Sequence, residues 1–452
     1  MTTASETTKL FSLPPELILH ILTFCHPTDI ARFAEVCRST FDLVCNGNSQ
    51  FLWREVFLQL YDDPRKAIRP IIHDDDEAFS EPFDWKGALQ HRTEAGIVAH
   101  HALNAESNKR QRTLKTFVDA VTQALPAPRD SQSRPSLNLQ WLDRLLRETQ
   151  MLTLVQPGWD MVDEHSRLMA YISLTHDSST DEDSQETLAD RRVSSRCFVY
   201  DIRNYRQVTH WGPFLPSGSV NWIHIEHLVN VVLTNLRDLP DHWGATTPPL
   251  GLVHTQAFTA PGPYSDNDWA GVEGTWRRYV CFMDYRDLFA FNYSNIANGP
   301  RNPEFFRDSR FREATRLIEV KLHLVPENQL RFHEPSPDCG QVKTRYPTLY
   351  FAGTSRGVTG NEAKVEGSVC IGIDGTVRWT FYDLIQGAVH HSSTLWCSKG
   401  VQLGGIASAA GIVGSWSTSA HDQGSLIDHF TAGPFWLWKV PHAHSGPLMD
   451  FT

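Results

Sequence analysis

Few residues in this chain are spaced for chemistry. Gly411-Ile-Val-Gly-Ser-Trp-Ser417 sets a serine among glycines. It is not Gly-x-Ser-x-Gly between a strand and a helix, the context that presents a nucleophilic serine. No glycine-rich loop ends in Lys-Ser or Lys-Thr, so the phosphate cradle is missing. His100-His101 and His390-His391 are adjacent pairs, and neighbours on a helix or strand point apart. His442 and His444 could share one strand face, but no third ligand stands near them. The cysteines Cys25, Cys37, Cys45, Cys197, Cys281, Cys339, Cys370 and Cys397 form no Cys-x-x-Cys pair, so zinc-ribbon spacing is absent. No catalytic residue, metal ligand or cofactor is assigned, and the residues point to binding rather than catalysis.

The residues suited to recognition are aromatic and basic. Trp276, Trp379, Trp416, Trp436 and Trp438 cluster late in the chain. Tryptophan is first of all a core residue, but it and arginine also anchor interfaces. Arg277, Arg278 and Arg378 stand beside these aromatics and alternate with buried positions, so some face a rim or a cavity. An arginine there could grip a carboxylate with two parallel hydrogen bonds. Trp276, Arg277, Arg278, Arg378 and Trp416 are the candidate target-binding residues.

Composition limits what these residues can serve. With 452 residues, 41% hydrophobic and 21% charged, the chain can bury a sizeable core in two or three domains. The 41 basic and 52 acidic residues leave a net charge of −11, against nucleic-acid binding. Two acidic runs, Asp74–Glu77 and Asp181–Asp183, read as solvated loops. Met1–Leu10 has no apolar core of a signal peptide, and no run of about 18 apolar residues could span a membrane. Scattered cysteines suit a reducing compartment, so a cytoplasmic or nuclear location is expected.

The elements that position a binding surface begin at the amino terminus. In Leu13-Pro-Pro-Glu-Leu-Ile-Leu-His-Ile-Leu-Thr-Phe24, two prolines open a helix. Leu17, Ile18, Ile21 and Leu22 repeat at helical spacing as one apolar face. Pro27 interrupts, and Thr28 or Asp29 can cap a second helix carrying Ile30, Phe33, Ala34 and Cys37. Leu52, Trp53, Val56, Phe57 and Leu60 make a third. Three short helices cannot hide all these side chains from water, and the apolar patch left over marks a partner surface.

Leu-Pro-Pro-Glu-Leu, Pro27-Thr-Asp-Ile-Ala, Val36-Cys37-Arg38 and Leu52-Trp53-Arg54, in this order over residues 11–57, resemble the F-box family. The resemblance implies docking onto the Skp-family adaptor of cullin–RING (SCF) ubiquitin ligases. It carries adaptor-facing roles to Leu13, Pro14, Ile18, Ile21, Leu22, Ile30, Val36, Cys37 and Trp53. One departure is Thr40, where the family often has an aromatic residue; Phe41 follows it.

The remainder divides into a helical linker, residues 61–155, and a mainly β domain, residues 156–452, with one buried helix near 221–236. In the linker, residues 83–125 read as helical, and Ser136 or Asn138 can cap a helix over Leu139–Met151. Residues 175–192 are polar and acidic, as in a loop, and Cys197–Ile202 reads as a strand. From Asp268 about eight strands follow with short connections. Gly274–Asn292 reads as two strands joined at Asp284–Asp287, Asp374-Gly375 marks a hairpin, and Val401–Ala407, Gly411–Ser417 and Pro434–Val440 complete the set. The fold class is α+β, with an antiparallel barrel or sandwich in which Gly274-Thr-Trp276 and Phe435-Trp-Leu-Trp438 could pair and close the ring.

This layout resembles lipocalin-like barrels. Gly271–Trp276 and Ala410–Gly414 followed by Gly433–Trp438 also resemble the β domain of the F-box-only proteins that recruit cyclin D and amidated C-termini. That implies a barrel whose mouth takes a peptide end of an unknown protein substrate. The other reading is a lipocalin-like small-ligand module with an F-box.

Overall fold

The computed structural model describes residues 12–451, except 47–49, 73–82, 129–134, 150, 153–162, 177–181, 240–245, 263–264, 266, 295–298, 309–310, 333–341, 361, 386–393, 419–429 and 445. The acidic run at Asp74–Glu77 and the pair His390-His391 lie outside the described residues. The chain divides into two compact units: residues 1–66, 75–124 and 136–154, and residues 67–74, 125–135 and 155–452.

The first unit opens with four short helices rather than three: α1 (Pro15–Leu22), α2 (Pro27–Ala34), α3 (Arg38–Cys45) and α4 (Phe51–Leu60). The apolar repeat from Ile30 to Cys37 runs across a break. α2 stops at Ala34, and Cys37 turns extended to cap α3. The Cys37 N–H donates to Thr40 Oγ1 at 3.0 Å, and that hydroxyl donates back to the Cys37 carbonyl at 2.7 Å. Thr40 thus occupies its place as a cap, with Phe41 turned outward. α2 is capped by His26, not Thr28 or Asp29: the imidazole accepts from the Thr28 N–H, and Pro27 takes the first helical position, where its missing N–H is no loss.

Residues 83–125 form two helices, α5 (Trp85–His100) and α6 (Ser107–Thr122), separated by a tight turn at Ala102–Asn104. α7 (Leu137–Glu148) starts on Ser136, whose Oγ accepts from the Leu139 N–H. Ile18, Leu22, Ile30, Leu52, Phe57 and Trp85 form the core where the four short helices meet α5.

In the second unit, α8 (Asp163–Ile172), α9 (Glu182–Val199) and α10 (Trp222–Arg237) come first. The loop expected at 175–192 and the strand expected at Cys197–Ile202 are corrected: residues 182–199 are one helix. Val193, Ser195, Arg196 and Val199 are buried on it, and packing against α10 overrides β-branched composition. α10 is itself buried along its length, between α8 and α9 and the barrel strands β1, β7 and β8, whose ranges follow.

The strands are β1 (Gly274–Met283), β2 (Glu313–Leu324), β3 (Leu349–Arg356), β4 (Glu362–Ile371), β5 (Val377–Ile385), β6 (Thr394–Gln402), β7 (Ile412–Thr418) and β8 (Ala432–Val440). Each pairs antiparallel with the next, and β8 returns to β1, with Arg277 opposite Trp438. The fold is therefore a closed barrel and not a sandwich. A short β9 (Met449–Phe451) adds to the start of β2, with Thr315 opposite Phe451. Two strand assignments shift. The second strand expected within Gly274–Asn292 is a helix, α11 (Tyr285–Phe289), because Asp284 caps it by accepting from the Arg286 N–H at 2.8 Å. The strand expected at Val401–Ala407 lies earlier, as β6.

One end of the barrel is filled. Trp276, Phe351, Trp379, Phe381 and Phe435 pack inside it, with Trp269 and Val272 from the incoming segment. Gly367 permits this filling: a Cβ there would stand 2.5 Å from the Phe351 ring. β8 is buried on both faces, Phe435 and Leu437 facing in and Trp436 and Trp438 out, which explains its unbroken apolar run. Cys370 on β4 is disulfide-bonded, which the cysteine spacing did not suggest.

Burial on α10 gives a pH dependence. Desolvation holds His224 down to about 3 and His227 to about 4. Both stay neutral in the fold while the unfolded chain takes up protons below about 6.5. Stability is thus full above that value and declines as pH falls from about 6.5 towards 4. Urea midpoints should fall between pH 7 and 5. His224→Leu should flatten the slope, since His224 Nε2 has no hydrogen-bond partner to lose; a pH-independent midpoint would refute this.

Candidate functional site: an apolar ridge and a barrel mouth

α1 has two apolar sides. Residues four apart share a side, and at 3.6 residues per turn the next residue lies about 100° round. Ile18 and Leu22 face inward, 4% and 5% exposed, and Ile30 is fully buried. Leu17 and Ile21 face outward, joined by Leu13, Phe24, Val36 and Phe41. Phe24 and Val36 are 75% and 70% exposed. Ile18, Leu22 and Ile30 are thus corrected from surface to core residues. Leu13, Pro14, Ile21, Val36 and Cys37 are exposed. Trp53 is half-buried, with Lys86 Nζ 5.5 Å above its ring. The Cys37 thiol is held below its ordinary range by hydrogen bonds from Thr40.

The second feature is the open end of the barrel. A cavity of about 490 Å³ is lined by Val280, Phe282, Ile318, Trp396, Trp416 and Met449, with Arg278, Asp383 and Ser398 among its polar lining and Arg316, Glu362 and Asp450 also along it. β1 supplies Arg278, Val280 and Phe282 by alternation, two residues apart. Arg278 is buried. Its guanidinium donates to Asp383 Oδ2 at 2.8 Å and Ser398 Oγ at 2.5 Å and lies 4.6 Å over the Phe435 ring. It is therefore occupied from within, not open to grip a carboxylate. Trp416 walls the cavity, its indole N–H donating to the Cys281 carbonyl at 3.0 Å.

The other three candidates lie elsewhere. Trp276 is in the filled end, donating to the Val272 carbonyl. Arg277 is on the outer face, 3.5 Å from Glu319. Arg378 is tied to Asp374 at 3.0 Å and stacks over Phe214. Asp383, Ser398, Val280, Ile318 and Trp396 were missed; only the alternation of β1 hinted at such a lining.

A hydroxyl–imidazole pair does exist. Ser195 Oγ and His227 Nδ1 are 3.0 Å apart, and Asn230 donates to the same hydroxyl at 3.3 Å. Ser195 is wholly buried, Phe198 stacks on the imidazole at 4.5 Å, and neither lines the barrel-mouth cavity. A nucleophile needs a place for the reacting atom beside it; this pair ties α9 to α10. Among the described residues no group of three His, Cys, Asp or Glu side chains could hold a metal ion, and no helix is long and apolar enough to cross a membrane.

Residues 10–59 match the family model described as F-box-like. The chain carries an F-box. No curated protein and no solved structure matches it, so the likeness of the barrel to the proteins that recruit cyclin D rests on its short motifs alone. F-box domains bind Skp-family adaptors, and the domain implies an SCF adaptor role. The F-box of this chain coincides with α1–α4, and the exposed apolar ridge lies on it.

Stability should separate the two sides of α1. Ile18→Asp buries an unpaired charge and should cost more than about 3 kcal/mol, whereas Ile21→Asp should stay within about 0.5 kcal/mol. Chemical denaturation of the full chain measures both. Equal losses would contradict the assignment.

Proposed function

We propose that this chain is the target-recruiting subunit of an SCF-type ubiquitin ligase. The carrying observation is the exposed ridge of Leu17, Ile21, Phe24 and Val36 within the segment that matches the F-box. Large apolar side chains left in water beside a full core are what a partner surface requires. The ridge docks the Skp-family adaptor, and through it the cullin–RING assembly. The barrel holds a target protein at its open mouth. Transfer of ubiquitin belongs to the other subunits, and this chain contributes proximity: it raises the local concentration of target lysines.

The barrel reading is supported by the mouth cavity, whose volume and mixed lining are those of a recognition site. Its apolar walls offer burial, and the buried Arg278 in its lining is charge-matched by Asp383.

Affinity capture tests the assignment. The double variant Leu17→Asp with Ile21→Asp should lose the Skp-family adaptor by more than about tenfold while retaining partners bound through the barrel. Its melting temperature should stay close to that of the parent chain. Adaptor capture undiminished in a folded double variant would refute the docking surface.

A further inference from the structure

We propose that the start of β2 is a strand-addition site for an acidic segment of the target protein, and that β9 holds this site as the chain's own stand-in. The inference rests on reading the mouth as a recognition site. β3 pairs with β2 only over Glu319–Leu324. Towards the mouth β2 runs on, and β9 covers it at Thr315–Leu317. β9 has three residues, whereas β1 on the other side of β2 has ten. Lifting so short a strand bares backbone N–H and C=O groups, and an added strand takes these up. The approach to β9 lets it lift. Pro447 and Leu448 belong to no helix or strand, and Arg277 holds the Gly446 carbonyl before them at 2.8 Å, which fixes the point about which the strand moves.

What β9 does there shows what the site takes. Residues opposite one another in a sheet share a face. Asp450 stands opposite Arg316, and Arg316 opposite Val280, which lines the cavity. The Asp450 carboxylate accepts from Arg316 Nε at 2.8 Å, and the guanidinium lies 4.6 Å over the Phe282 ring. Met449 is on the other face, opposite Leu317, and both are buried. The other charges of the lining are met without β9: Arg278 is paired with Asp383, and Glu362 stands opposite Arg356 on β3. Lifting β9 therefore strips the counter-charge from Arg316, and an incoming aspartate or glutamate restores it. Arg316 and Asp450 are both partly in water, where an ion pair holds weakly, so a target carboxylate can replace Asp450. The segment that fits is extended, runs antiparallel to β2, and carries an apolar residue followed by an acidic one.

The test uses the purified full-length chain and a fluorescent peptide copy of residues 446–452 with blocked ends, read by anisotropy. A second peptide carries Asp450→Lys. In the chain, Asp450→Lys sets a like charge against Arg316 and lifts β9. That variant should bind the copy at least about tenfold more tightly than the parent does, a factor of about 1.4 kcal/mol, and should prefer it to the lysine peptide. Arg316→Glu also lifts β9, by repelling Asp450, and should reverse the preference. No gain over the parent in either folded variant, or the same preference in both, overturns the proposal. Hydrogen exchange needs no variant. In the parent chain the amides of residues 449–451 should exchange at least about a hundredfold faster than those of β8; exchange as slow as that of β8 overturns the proposal. Target capture by the parent and by Asp450→Lys separates the two readings. Targets held equally by both, with neither peptide bound, sink the strand site and spare the receptor reading. Peptide exchange in a chain that captures no target keeps the strand site and removes the receptor reading.

Discussion

Everything proposed for the amino-terminal unit follows from how little α1 can hide. An eight-residue helix has just over two turns, and α1 is apolar on two sides. One side, Ile18 and Leu22, completes a core with Ile30, Leu52 and Phe57. The other, Leu17 and Ile21, is left in water with Phe24 and Val36. Burying such a side chain contributes on the order of 1–3 kcal/mol. Folding uses up the first side, and the second remains available for association. An interface of this kind is built from what the fold cannot cover.

The barrel solves the opposite problem. Its eight strands cover all their edges by closure, and its filled end takes the largest rings. The open end keeps a cavity, lined by Phe282, Trp396 and Trp416 beside an internally matched charge pair. Arg278 and Asp383 satisfy each other's charge but not all of each other's hydrogen bonds. α10 covers the outer faces of β1, β7 and β8, so that side of the barrel is core on both faces, and the mouth is where solvent meets its interior.

Much of this was legible in the sequence. The F-box spacing, the hairpin at Asp374-Gly375 and the buried α10 were readable because each rests on local pattern, and the barrel closure between Gly274–Trp276 and Phe435–Trp438 because pairing the first and last strands removes the free edges. The inward and outward sides of α1 were not, since Leu17, Ile18, Ile21 and Leu22 are equally apolar and only packing sorts them. α9 was missed because its start is polar and its end β-branched, and burial against α10 decides its state. Of the five proposed target contacts only Arg278 and Trp416 reach the cavity. Strand alternation gives a residue's face but not its height in the barrel, which separates Trp276 at the filled end from Phe282 at the mouth.

Photo-crosslinking maps the ridge directly. Benzoylphenylalanine would replace Phe24, Val36 or Leu103 in turn, all exposed but the last outside the F-box match, in the presence of a purified Skp-family adaptor. The account predicts adducts to the adaptor from positions 24 and 36 and none from 103. Adducts from 103 alone, or from none of the three in a complex that still forms, would contradict it.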